Sequence, residues 1–309
     1  MGLGRFYHAV SREVWWDAGK PQPHGSMMAW LPSKCIPFNS FPYLGFLCRN
    51  LSSKTTGICI PSQEKEKCLD RISSWVPGAL VSHKECQCVI GSLQNCTQVV
   101  SDGRSRLPSL FRLAASFEGP STLKPFVRHP IPPAVLDDIV WWRSRLSADW
   151  CGCSIAIPSD PLPLSIFVDA SSFGIGFLVD NKWLAWRLLE GWNADGRDIN
   201  WAEMVAIDLG LRTLIHSGFK NCHFLFHSDN AGVVGALSSG RSRGSSQNEI
   251  LKNIVSNFHD NNISLSVEWV RSSANLSDSI SRGVFPSTLT RHHRAPPLPS
   301  YLKKLVVLI

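Results

Sequence analysis

Ser165-Ile-Phe-Val-Asp169-Ala-Ser-Ser-Phe-Gly174-Ile-Gly-Phe-Leu-Val179-Asp-Asn-Lys-Trp183-Leu-Ala-Trp-Arg-Leu188 alternates apolar runs with turn signals. Residues 165–169 read as a short apolar strand, and 174–179 and 183–188 as two more. Asp180-Asn181 is a turn dipeptide that makes the last two strands a hairpin. Downstream the apolar spacing becomes helical over 201–216, with Asn200 as N-cap, Glu203 three positions later and Gly218 as the stop. Residues 223–228 read as a fourth strand, 231–237 and 246–258 as helices, 263–270 as a fifth strand and 276–282 as a short closing helix. The order β-β-β-α-β-α-α-β-α predicts an α/β domain: a five-stranded mixed sheet with helices packed on its faces.

That order places acidic side chains together. Asp169 ends the first strand and Asp229 the fourth, so parallel pairing of the two brings both carboxylates to one sheet edge, where ligands bind in open α/β sheets. Glu203 shares a helix side with Ile207 and Leu214 and is expected to face the sheet. Asp278 begins the closing helix and can fold back over the same edge. Each acid also has an ordinary structural use: Glu203 in a capping box, Asp278 at a helix N-terminus, Asp229 in the Asp229-Asn230 turn. Four acids at one edge, however, repel one another, which favours bound cations. A donor set of carboxylate oxygens without His or Cys indicates Mg²⁺ or Mn²⁺.

Upstream, residues 1–40 are rich in Trp, Pro, Gly and His without periodicity and read as irregular. An apolar stretch at 41–47 with a return strand at 56–60 suggests a hairpin. Helical stripes follow at 64–75, at 82–93 behind the capping box Ser82-His-Lys-Glu85, at 107–117 and at 133–146. Prolines mark 120–133 as a linker and 151–163 as the main boundary.

Four motifs resemble those of the ribonuclease H domain fused to retroelement reverse transcriptases. They are Ser165-Ile-Phe-Val-Asp169-Ala-Ser with its small-residue turn, Asn200-Trp-Ala-Glu203, Phe226-His-Ser-Asp229-Asn230 and Asn275-Leu-Ser-Asp278-Ser-Ile-Ser-Arg282. Their order over about 120 residues is that of the family, whereas transposases and integrases of the same fold place the glutamate last. The resemblance implies a ribonuclease H-like fold over 161–285 that cleaves the RNA strand of an RNA/DNA hybrid with two Mg²⁺ ions, Mn²⁺ substituting. It assigns Asp169 to both ions, Asp278 to the nucleophile side, and Glu203 and Asp229 to the leaving-group side, with Glu203 also accepting from the RNA 2′-hydroxyl. Ser171, Ser172, Asn230 and Arg271 are the implied nucleic-acid contacts near the site. The family's mobile histidine before the last aspartate is missing from Val270-Arg-Ser-Ser-Ala-Asn275, so slow turnover is expected.

More weakly, Tyr43-Leu-Gly-Phe46, Ile60-Pro61, Ser82-His-Lys-Glu85, Ile90-Gly-Ser-Leu93 and Trp141-Trp142 look like the end of a reverse-transcriptase palm, its thumb and the connection. This divides the chain into an unassigned 1–40, a palm-end and thumb-like 41–118, a connection 119–160, the domain at 161–285 and a basic tail at 286–309. Lys65, Lys67, Arg104 and Arg106 are expected to grip nucleic acid from the thumb-like helices. The chain lacks a Tyr-x-Asp-Asp polymerase signature, so DNA synthesis is not expected and a separate polymerase chain becomes an expected partner. The competing expectation is an inactive retroelement remnant that only binds nucleic acid or a partner.

The remaining composition agrees with this. Of the 309 residues 44% are apolar, enough for two cores, and the formal charge is +7. Residues 162–285 hold 10 Lys or Arg against 12 Asp or Glu, so the positive excess lies in the flanks. Basic flanks around an acidic centre suit a polyanion held from the sides. No apolar run reaches the 18 residues of a membrane span and no signal-peptide layout opens the chain, so an intracellular location, cytoplasm or nucleus, and reduced thiols are expected. Cys86-Gln-Cys88 and Cys151-Gly-Cys153 lack the spacing of a zinc site.

Overall fold

The computed structural model describes residues 40–43, 46–52, 55–117, 127–154 and 159–309. Of the segment 1–40 read as irregular, residues 1–39 lie outside the described residues, as do residues 120–126 of the 120–133 linker. The chain divides into two compact units, one of residues 1–101 and 117–157, the other of 102–116 and 158–309.

In the first unit, strands β1 (Ser40–Tyr43), β2 (Phe46–Ser52) and β3 (Thr55–Cys59) form an antiparallel meander that β6 (Gly152–Ser154) extends on the β3 side. The strand expected at 41–47 is thus two strands, because Tyr43 and Phe46 already pair with each other in the antiparallel ladder. Helices α1 (Ser62–Ser73), α2 (His83–Cys96) and α4 (Pro133–Ser147) bury Ile72, Leu93, Ile139, Trp142 and Leu146. Ser82 caps α2 in a full capping box with Glu85, as its spacing implies. A short pair, β4 (Leu80–Ser82) with β5 (Arg128–Pro130), completes the unit. Helix α3 (Pro108–Ala115), which the sequence groups with the thumb-like helices, belongs to the second unit. There Asn248, 1% exposed, donates to the Ser105 carbonyl at 2.7 Å and ties the 3-10 turn before α3 to a later helix.

The second unit is a mixed sheet, seven-stranded among the described residues, with the path β11-β10-β7-β8-β9-β12 and β13 also paired to β9. Strands β7 (Ile166–Ala170), β8 (Gly174–Val179) and β9 (Lys182–Leu188) are antiparallel, with Asp180-Asn181 as the β8–β9 turn. Asp180 sits there at φ 51°, a conformation that Asp tolerates. Helix α5 (Ile199–His216) crosses to β10 (His223–Ser228), which lies parallel to β7; β11 (Ser264–Trp269) lies parallel beyond it. Residues 201–211 of α5 are all buried, since the helix packs on β7, β8 and α7 (Ser245–Asp260). Gly210 allows that approach: a Cβ there would stand 2.8 Å from the Phe177 ring.

The segment read as a basic tail is part of this core. Strands β12 (Thr290–Arg291) and β13 (Val306–Leu308) pair with the two ends of β9, and Leu302 and Val306 are buried among the sheet and α5 side chains. Tyr301 donates from Oη to Asp208 Oδ2 at 2.5 Å, and Arg212 Nε contacts both oxygens of that carboxylate at 3.0 Å. The domain therefore extends past residue 285. Ending the chain there removes two fully buried aliphatic side chains and the half-buried Tyr301 that bonds the buried Asp208, a loss of roughly 5 kcal/mol, comparable to the whole stability of many domains. Urea melts of chains ending at 285 and 309 should differ by that amount in the second unit's transition; equal midpoints would contradict the placement of this segment.

Candidate metal centre

The parallel register of β7 and β10 sets the site. Phe226 lies opposite Ile166 and His227 opposite Phe167, so two residues further along, Asp169 and Asp229 leave the sheet side by side. Glu203 comes to them from the second turn of α5. The N-cap of that helix is Asp198, whose carboxylate accepts from the Trp201 amide at 3.0 Å, and not Asn200 as the sequence suggests. Glu203 is therefore in no capping box, and its ordinary structural use does not apply. One oxygen from each of Asp169, Glu203 and Asp229 lies within 4.8 Å of the others.

The three are held by polar contacts rather than by counter-charges. Asn275 Nδ2 donates to Asp169 Oδ1 at 3.1 Å, to Asp229 Oδ1 at 3.3 Å and to the Val168 carbonyl at 3.1 Å. The Asn275 amide is itself oriented by Ser277, whose hydroxyl donates to its Oδ1 at 2.7 Å. Ser281 donates to Asp169 Oδ2 at 2.5 Å. Glu203 is only 5% exposed, and its Oε2 has no hydrogen-bond partner among the described residues.

Burial without a cation has an electrostatic cost. Burial pushes the Glu203 carboxyl up to about 9, reinforced by the charges of Asp169 and Asp229 and opposed by the Ala170 amide. Burial likewise lifts Asp169 to about 7 against the pull of the Ser281 hydroxyl, with Asp229 and Asp278 adding to the rise. Such a donor set fits a hard divalent cation. It supplies only oxygens, includes one buried oxygen lacking any donor, and is short of positive charge.

Asp278 stands apart from this triad. It opens the four-residue helix α8 (Asp278–Ser281), and Arg282 one turn later grips its carboxylate from Nη2 at 2.9 Å and Nε at 3.1 Å. The implied nucleic-acid residues divide similarly. Ser172 and Arg271 are exposed. Ser171 is committed to its turn, donating to the Ser281 carbonyl and accepting from the Phe173 and Gly174 amides. Asn230 caps helix α6 (Ala231–Ser239) through the Val233 amide and donates to Asn200. Lys65 donates to the Ala148 carbonyl, and Lys67 pairs with Glu64 at 2.6 Å. Arg104 and Arg106 lie half-buried in the 3-10 turn of the second unit.

Two of the most engaged groups, Asn275 and Ser281, are absent from the sequence-derived site set. Their signal was the Asn275-x-x-Asp278-x-x-Ser281 spacing itself. Trp269, 50% exposed, is a third: its indole donates to the Asp229 carbonyl at 2.9 Å. No helix among the described residues is long and apolar enough to cross a membrane.

No protein-family model and no curated protein matches the chain. Among solved structures it is similar to a foamy viral protease-reverse transcriptase dRH in complex with double-stranded DNA, at 14% identity and a TM-score of 0.28 over 75% of this chain and 38% of that one. It is also similar to a foamy viral protease-reverse transcriptase in complex with RNA/DNA hybrid, at 12% identity and a TM-score of 0.30 over 86% of this chain and 32% of that one. The chain spans about a third of the length of either structure it resembles.

Proposed function

We propose that the second unit is a ribonuclease H-type endonuclease of retroelement origin, cutting the RNA strand of RNA/DNA hybrids with divalent metal ions. The observation that carries this reading is the buried convergence of Asp169, Glu203 and Asp229 with an unpartnered oxygen on Glu203. When bound, Mg²⁺ or Mn²⁺ supplies a water of lowered pKa and positive charge at the leaving oxygen. The protein's own part is positional. Asn275 and Ser281 fix both oxygens of Asp169, Asn275 also fixes one of Asp229, and the β7–β10 register keeps the two carboxylates side by side. Asp278 would complete the donor set by exchanging Arg282 for a cation. Exposed Ser172 and Arg271 are proposed contacts to the nucleic-acid backbone. The first unit, with Lys65 and Lys67, is proposed as the thumb and connection that accompany a reverse-transcriptase polymerase.

The Arg282 grip on Asp278 favours one alternative, a domain that binds hybrid without cutting it. Incubation of an end-labelled RNA/DNA hybrid with Mg²⁺ separates the two. Cleavage confined to the RNA strand and lost in Asp169→Asn is the expected result; retained hybrid binding with no cut strand at any Mg²⁺ or Mn²⁺ concentration selects the alternative.

A further inference from the structure

Away from the acidic site, the first unit holds two cysteine sulfurs in contact. Cys68 lies on the inner side of α1 and Cys96 is the last residue of α2, and their Sγ atoms are 3.6 Å apart. Both side chains are at most 4% exposed, yet both line a cavity of about 340 Å³ together with Phe46, Ile60, Arg71 and Cys88. The rim of that cavity is exposed at Arg71, Gln87, Cys88 and Asn95, so a small solute reaches the sulfurs from solvent.

We infer that Cys68 and Cys96 are a redox-active dithiol that closes to an intramolecular disulfide when a hydroperoxide enters this cavity. The two thiols are unequal, which sets their roles. The hydrogen bond shared with Cys96 lowers the Cys68 thiol, with Arg71 and Lys67 adding to the fall and burial and Glu64 opposing it. The same hydrogen bond and burial push the Cys96 thiol up. Cys68, with Arg71 and Lys67 beside it on α1, is the attacking thiolate, and Cys96, beside Cys151 and Glu64, is the resolving thiol.

The Cys68 thiolate attacks one peroxide oxygen. The O–O bond breaks, leaving a sulfenic acid on Cys68 and a hydroxide that takes up a proton to become water. Cys96, losing its proton, then attacks the Cys68 sulfur, the S–O bond breaks and a second water leaves. In sum two thiols are oxidised and one hydroperoxide is reduced. The new bond would fasten α1 to the C-terminal end of α2.

The test is thiol mapping on the full chain after brief treatment with hydrogen peroxide, denaturation and alkylation. A linked peptide pair containing Cys68 and Cys96, lighter by two hydrogens and released by dithiothreitol, is expected. In Cys96→Ser, Cys68 should instead be trapped by dimedone as a sulfenic acid; in Cys68→Ser, Cys96 should stay reduced. Before oxidation, Cys68 should alkylate at least ten-fold faster than Cys86, a thiol that burial raises to about 11. Full alkylation of both Cys68 and Cys96 after peroxide overturns the inference, as does a linkage through Cys88. The wild-type mapping stands without either variant.

Discussion

Replacing Glu203 with Gln should raise the stability of the metal-free protein at pH 8 while abolishing cleavage of an RNA/DNA hybrid. The carboxyl group is buried, and its folded-state value of about 9 lies far above that of an exposed glutamate. Between those two values the folded state holds a proton that the unfolded state has released. Stability must therefore fall as pH rises, by up to about 1.4 kcal/mol per pH unit for this one group. Asp169, at about 7, adds a second decline over the lower part of the same range. A divalent cation supplies the missing positive charge, so Mg²⁺ should lift the melting temperature most at high pH and flatten its pH dependence. Glutamine is nearly isosteric and does not titrate, so the variant should show a shallower decline and a much smaller response to Mg²⁺. Thermal melts from pH 5 to 9, with and without Mg²⁺, decide the matter. A wild-type melting temperature indifferent to both pH and metal would leave the site without its proposed occupant.

Strands β7 to β11 and helices α5 to α7 are legible because their apolar patterns are long enough to show a period, and because Asp180-Asn181 and Gly218 punctuate them. The meeting of Asp169 and Asp229 follows from one topological rule about parallel neighbours, which the register of β7 on β10 satisfies, and that of Glu203 from the helix side it shares with Ile207 and Leu214. Strands β12 and β13 were not legible. At two and three residues they carry no alternation, and only pairing with β9 and the burial of Leu302 and Val306 make them strands. Helix α5 is capped two residues before Asn200 because Asp195, Asp198 and Asn200 are all eligible caps; the chain geometry, not residue preference, selects Asp198. The separation of Asp278 from the triad was readable in principle, since Arg282 is one helical turn away. Its weight against the attraction of a metal site depends on an ion the sequence does not contain.

The closing segment that carries Asn275 and Ser281 should be displaced by a single methyl group at Gly176. In β8 this glycine lies opposite Asp169, and a Cβ built on it would stand 2.7 Å from both the Ser277 carbonyl oxygen and the Ser281 amide nitrogen. These are backbone atoms, as is the Ile280 carbonyl carbon at 3.2 Å, so no side chain can rotate aside to make room. Gly176→Ala must push residues 277–281 away from the sheet. Overpacking of this kind costs about 1–3 kcal/mol. Displacement by even an ångström also breaks the 2.5 Å contact from Ser281 to Asp169 and loosens the Asn275 bridge between Asp169 and Asp229. Metal affinity and hybrid cleavage should then fall together, by about 10- to 100-fold, the usual cost of losing groups that orient metal ligands. Gly235→Ala is the control. It lies in α6, and an added methyl there would have nothing within 4 Å, so it should stabilise the protein by about 0.5–1 kcal/mol and leave cleavage unchanged. Calorimetric titration with Mg²⁺ and urea melts of the two variants give both readouts. A Gly176→Ala protein with wild-type metal affinity would show that the closing segment does not hold the aspartates in place.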